Sequence, residues 1–118
     1  MATYTRQIIF VNKGISRVTN WQLPPQIIKD MFNCCQRRIT QEGGPITVGM
    51  STMDGAMPVN KQFQVTNFAL TADGTLLCDA IFDNEDLYNE LENATFTLAI
   101  VPNADKTGIE LKNIGWFI

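Results

Sequence analysis

The stretch QFQVTNFALTADGTLLCDAIF, residues 62–82, decides the fold class. Its first half alternates. Phe63, Val65, Asn67 and Ala69 fall on one side of an extended chain, and Gln64, Thr66, Phe68 and Leu70 on the other. A second apolar run, LLCDAIF, follows ADGT. An Asp-Gly pair between two such runs is a strong short-range hairpin signal. The reading is an antiparallel hairpin pairing 62–72 with 75–82. It turns at Asp73-Gly74 in a type I′ turn, with positive φ at both central residues.

Working outward, TYTRQIIFV (3–11) reads as a strand with Tyr4, Arg6, Ile8 and Phe10 on one face. Asn12-Lys13-Gly14 supplies a turn, and ISRVTNW a short extended piece. Pro24-Pro25 opens a helix, since proline is tolerated in a first turn. Ile27, Ile28, Met31, Phe32 and Cys35 recur there at helical spacing. Arg37 and Arg38 suit its negative end, and TQEGG breaks it before the apolar strand at 45–49. Beyond the hairpin, DNEDLYNELEN reads as a second helix capped by Asp83 or Asn84. ATFTLAIVP is a strand, NADKTG a loop and IELKNIGWFI a final strand. The order is α+β: one domain over residues 1–118, a compact mixed, mainly antiparallel sheet or partly open barrel with two short helices.

Composition narrows function mainly by exclusion. A chain of 118 residues can bury roughly two thirds of its unfolded surface, so a core forms without metal or disulfides. Net charge is −3, and Arg37-Arg38 is the only basic doublet, which argues against a nucleic-acid partner. No run approaches the roughly 18 apolar residues of a membrane span, and MATYTRQ lacks a signal peptide's apolar stretch. Three cysteines, two of them adjacent, read as reduced thiols of a cytoplasmic protein. Cys34 and Cys35 point about 100° apart on a helix, so one faces the core and one is partly exposed. The chain has no histidine, which removes Ser-His, Cys-His and His-metal chemistry.

The remaining candidates are weak. Asp83, Glu85, Asp86 and Glu90 lack the spacing and central glycine of a calcium loop, and read as helix-start charge. Gly43-Gly44 and the 49–55 loop are not a phosphate cradle, because no Gly-Lys-Ser/Thr follows. Ser51 has no base. No cofactor or metal is implied. An apolar terminus must be covered, so Ile114 and Trp116 can enter the core while Gly115 and Phe117 face the other way. On that ground Trp116, Phe117 and Ile118 are candidate interface residues for self-association or a partner.

The order of segments resembles the phage prohead (scaffold-processing) proteases, relatives of the herpesvirus assembly proteases. WQLPPQIIKDMFNCCQRR precedes the apolar strand PITVGM, where the family ends its strand in Gly-His. The hairpin VTNFALTADGTLLCDAIF, the helix EDLYNELENA, the strand TFTLAIVP and the closing IELKNIGWFI follow in the family's order, from about residue 18 onward. Single motifs are weak, and order and spacing carry the likeness. At the position of the family histidine stands Met50, and the family serine falls at or next to Ala99. A thioether accepts no catalytic proton and a methyl attacks no carbonyl.

The resemblance thus implies a non-catalytic phage protein on a protease-like fold, a virion component or assembly factor. Capsid, scaffold or tail proteins, or further copies of itself, would be its partners. It would reside in the host cytoplasm during infection, or in the virion. Three other readings stay open: a surface loop at 49–61 on an unrelated α+β domain; within the phage setting that the resemblance implies, a small phage-encoded binding module or inhibitor of a host protein; and an enzyme using Cys34 or Cys35.

Overall fold

The computed structural model describes residues 3–49, 62–102 and 108–117. The loops read at 50–61 and 103–107 lie outside that description. The described elements are β1 (Tyr4–Asn12), β2 (Ile15–Ser16), α1 (Pro25–Glu42), β3 (Ile46–Gly49), β4 (Gln62–Leu70), β5 (Leu76–Phe82), α2 (Glu85–Glu90), β6 (Thr95–Pro102) and β7 (Ile109–Phe117). They form an α+β fold with a five-stranded sheet, β2-β1-β5-β4-β3, and a two-stranded sheet, β6-β7. All pairings are antiparallel. β7 runs beside β3 and β6 beside β1, but the two sheets are not joined into a closed barrel.

The hairpin at 62–82 pairs as expected, with Leu70 opposite Leu76. Its turn differs from type I′. Gly74 has φ 88°, but Asp73 is not left-handed. Thr71 N–H donates to the Thr75 carbonyl at 2.9 Å, and Gly74 N–H to the Thr71 carbonyl at 3.1 Å. The loop is therefore the three residues Ala72-Asp73-Gly74, with a left-handed glycine after two ordinary residues. Threonines make that turn worthwhile: the Thr71 hydroxyl accepts from Thr75 N–H at 3.0 Å and donates to the Asp73 carboxylate.

Each of three strand pairs contains one extra residue, and each extra residue moves an apolar side chain inward. β4 gains a residue between Thr66 and Ala69, where Asn67 is left-handed at φ 56°. Asn67 Nδ2 then reaches Asp79 at 3.1 Å, and Phe68 joins Phe63 and Val65 in the core. Strict alternation places Phe68 on the face opposite Phe63, Val65 and Asn67. In β1, the shift between Ile9 and Val11 buries both Phe10 and Val11. In β7, the extra residue at 112 lets Leu111 and Ile114 both face inward.

α1 is 18 residues long, not short. It ends at Gly43, left-handed at φ 75°, whose N–H returns to the Ile39 and Thr40 carbonyls. Arg37 and Arg38 therefore sit more than a turn before the helix end and do not cap its dipole. They reach sideways instead. Arg37 Nη2 donates to the Ile109 carbonyl and Arg38 Nη1 to the Leu111 carbonyl, each at 2.7 Å. α1 packs on β4 to one side and on β7 to the other. That double contact buries Cys34 and Cys35 alike, against the expectation that one would be exposed.

α2 is capped by Asn84, whose side chain accepts from Asp86 and Leu87 N–H groups. It is fastened to β1 by Arg6, which donates to the Tyr88 carbonyl at 2.7 Å and lies 3.9 Å from the Tyr88 ring centroid.

Two outcomes test the hairpin turn. Gly74→Val should cost on the order of 1–3 kcal/mol, read as a lower midpoint in urea unfolding. A Cβ there is strained by the positive φ and would stand 3.2 Å from Gly14 N. The Asp73 carboxyl, held first by the Thr71 hydroxyl and then by Thr75, titrates below the ordinary Asp range. A depressed pKa stabilises above the unfolded value and loses that contribution as pH falls through the folded one. Carboxyl-carbon NMR should show the low midpoint in wild type and its return toward ordinary in Thr71→Val.

Candidate functional site

The residues singled out from sequence are dispersed. Met50 and Ser51 lie outside the described residues. Ala99 is half-buried in β6 opposite Asn113, with β7 between its strand and β3. Asp83, Glu85, Asp86 and Glu90 are exposed, and Glu85 and Asp86 occupy the first turn of α2. Among the described residues, no group of three or more Cys, Asp or Glu is placed to hold a metal ion. No described helix is long and apolar enough to cross a membrane.

Of the C-terminal interface candidates, Trp116 is corrected by burial. Trp116 is 8% exposed and Ile114 is fully buried. The Trp116 ring lies 5.6 Å from that of Phe63. The chain's own core covers this end of β7, so Trp116 is not offered to a partner. The Phe117 side chain and Ile118 lie outside the described residues. The edge of β7 is also partly closed, because its Ile109 and Leu111 carbonyls are taken by Arg37 and Arg38. Those arginines, with Cys34, Gln41 and Glu110, line a groove of about 640 Å³ between α1 and β7.

The thiols differ in character. Cys34 lines the groove and is held below an ordinary thiol, chiefly by the Cys35 side chain and further by the Arg37 guanidinium, with burial opposing. Cys35 is pushed well up by Cys34 and by burial, and Cys78 by burial and then Asp79.

A different surface emerges at residues 13–29. Ile15 bridges Gln22, and Ser16 N–H donates to the Trp21 carbonyl at 2.9 Å, so 15–22 is a miniature hairpin. Its tip is fixed locally. The Ser16 hydroxyl accepts from Val18 and Thr19 N–H groups, and the Thr19 hydroxyl from Trp21 N–H at 3.2 Å. Asn20 takes the left-handed position at φ 61°. The base is tied down by Arg17 N–H to the Phe10 carbonyl and Leu23 N–H to the Gly14 carbonyl. This framework displays Trp21 at 72% exposure, with Ile15 and Val18 also exposed. Sequence reading took ISRVTNW only as an extended piece. The available signal was an isolated Trp amid polar residues, between the Asn-Lys-Gly turn and Pro24-Pro25.

Beside the hairpin lies a cleft of about 360 Å³. Three segments wall it: the β1–β2 turn at Lys13-Gly14, the approach to α1 with Leu23, Ile28 and Lys29, and the β4–β5 turn with Leu70 and Asp73. Gly14 N–H donates to the Gly74 carbonyl at 3.0 Å, and Lys13 N–H to the Thr75 hydroxyl at 3.1 Å. The cleft is thus held by hydrogen bonds from the β1–β2 turn to the β4–β5 turn. An exposed aromatic anchor beside a preformed apolar recess is the arrangement of a docking surface.

No protein-family model matches the chain, and neither does any curated protein or solved structure.

Thiol reactivity tests the placement of α1. With iodoacetamide under native conditions, Cys34 should be alkylated before Cys35 and Cys78, because it lines the groove beside Arg37, whose positive charge favours the nucleophilic thiolate. Peptide mass spectrometry reads the order. Initial labelling at Cys78 would overturn the placement of Cys34 on the groove wall.

Proposed function

We propose that this chain is a non-catalytic binding module that docks onto another protein through the 15–22 hairpin. The observation that carries the reading is Trp21: a large aromatic side chain, 72% exposed, on a turn whose backbone is fixed by Ser16 and Thr19. Tryptophan dominates binding hot spots, and a rigid display surface loses little conformational freedom on association.

The bacteriophage setting of this proposal rests on the segment order that resembles the prohead proteases. Met50 and Ala99, standing where that family has its catalytic histidine and serine, support a role in binding rather than cleavage. In that setting the partner is a capsid, scaffold or tail protein, and the module acts in assembly or in the particle.

The test is recovery with assembling particles. Tagged wild-type chain should co-sediment with capsid, scaffold or tail protein from infected cells. Trp21→Ala should be depleted roughly thirtyfold, the equivalent of about 2 kcal/mol at a hot spot. Its melting temperature should match wild type, because Trp21 lies outside the core. Equal recovery of the variant would remove Trp21 from the interface, and cleavage of a partner by the wild-type chain would end the non-catalytic reading.

A further inference from the structure

We infer that the cleft beside Trp21 seats an acidic, apolar peptide segment of the partner: one apolar side chain enters the recess and a neighbouring carboxylate meets Lys13 and Lys29. The inference rests on the binding reading above and adds the chemistry of what is bound.

Size is the first argument. About 360 Å³ is at the small end of ligand pockets, room for a side chain or two rather than a large cofactor. Polarity is the second. Ile28 is buried, and Leu23 and Leu70 are half-buried against the core, so the floor is apolar and firmly backed. Charge is the third. Lys13 and Lys29 line the cleft, and exposed Arg17 stands on the adjoining hairpin. The single carboxylate in the lining, Asp73, is already engaged by the Thr71 hydroxyl. The lining therefore presents two cations against one carboxylate, a net single positive charge that complements a carboxylate of the partner.

The recessed floor favours a protruding peptide side chain over a flat lipid surface. The larger α1–β7 groove is less suited to an anionic segment. Its two arginines are committed to the Ile109 and Leu111 carbonyls, and Glu110 faces the same space.

The experiment selects binders from a displayed library of random peptides, using the full chain as bait. The best binders are then measured as fluorescein-labelled peptides by anisotropy. Enriched peptides should carry Leu, Ile, Met or Phe next to Asp or Glu. Lys13→Glu combined with Lys29→Glu should weaken binding roughly tenfold or more, and added salt, which weakens wild-type binding, should no longer weaken that of the variant. Amide shifts on titration should centre on Lys13, Gly14, Leu23, Leu70 and Gly74. Both lysines are exposed, and circular dichroism of the double variant verifies that it is folded. Peptides without acidic residues, shifts centred elsewhere, or no enrichment would overturn the inference. So would tighter binding to phosphatidylserine vesicles or to a single-stranded oligonucleotide. Binding lost in Trp21→Ala but kept in the lysine double variant would sink the cleft chemistry and leave the docking hairpin standing. Binding lost in the lysine variant but kept in Trp21→Ala would support the cleft and remove Trp21 as the anchor.

Discussion

Phe63 is the residue on which the two sheets meet. Its ring centroid lies 4.9 Å from Phe82, 6.1 Å from Phe96 and 5.6 Å from Trp116. Phe82 belongs to the five-stranded sheet, and Phe96 and Trp116 to the two-stranded one. No hydrogen-bonded ladder joins these sheets among the described residues, so side-chain packing sets their relation. Each such ring pair contributes about 0.5–1.5 kcal/mol beyond its buried area. Phe82 also touches Tyr88, which carries the cluster into α2 and, through Arg6, back to β1. From Phe63 on β4 the aromatic packing thereby runs through both sheets and, by way of Phe82, into the second helix.

The extra residues in β1, β4 and β7 serve the same packing. A bulge bends its strand and increases its twist. Each also brings an additional apolar residue to the core side: Val11, Phe68 and Leu111. The arginines of α1 complete the arrangement from outside. By donating to carbonyls on β7, they satisfy edge groups that would otherwise be open to pairing with another chain. The same bonds hold the helix across the edge, which accounts for two adjacent cysteines being buried together.

Element order was legible in sequence because it depends on local signals. Pro24-Pro25, Gly43-Gly44, Asp73-Gly74 and the alternation of β4 each act within a few residues. The bulges were not legible, because Asn67 goes left-handed only when Asp79 on the neighbouring strand receives its amide and Phe68 has a core to enter. The turn type was missed for a related reason. An Asp-Gly pair suggests two loop residues, but the hydroxyl of Thr71 organises three. Arg37 and Arg38 were assigned to the helix dipole because their partners, carbonyls more than 70 residues away in sequence, leave no trace in a local pattern.

The two tryptophans show why the candidate site was harder to read than the fold. Trp116 sits in an apolar terminal run, and such a run invites the idea of an interface. It is the core of the same chain that covers it, with Phe63 against the indole and Phe96 opposite it in the β6–β7 ladder. Trp21 sits among Thr, Asn and Gln, where nothing apolar draws attention to it. Its exposure depends on a set of local hydrogen bonds that keep the 15–22 hairpin standing away from the core rather than folding Trp21 back onto it. Exposing an indole forgoes burial worth roughly 2–3 kcal/mol. The structure invests further in that display, since Ser16 and Thr19 use their hydroxyls on the tip and Gly14 and Leu23 use backbone bonds at its base. Local order spent on an exposed aromatic side chain is what a preorganised binding surface requires.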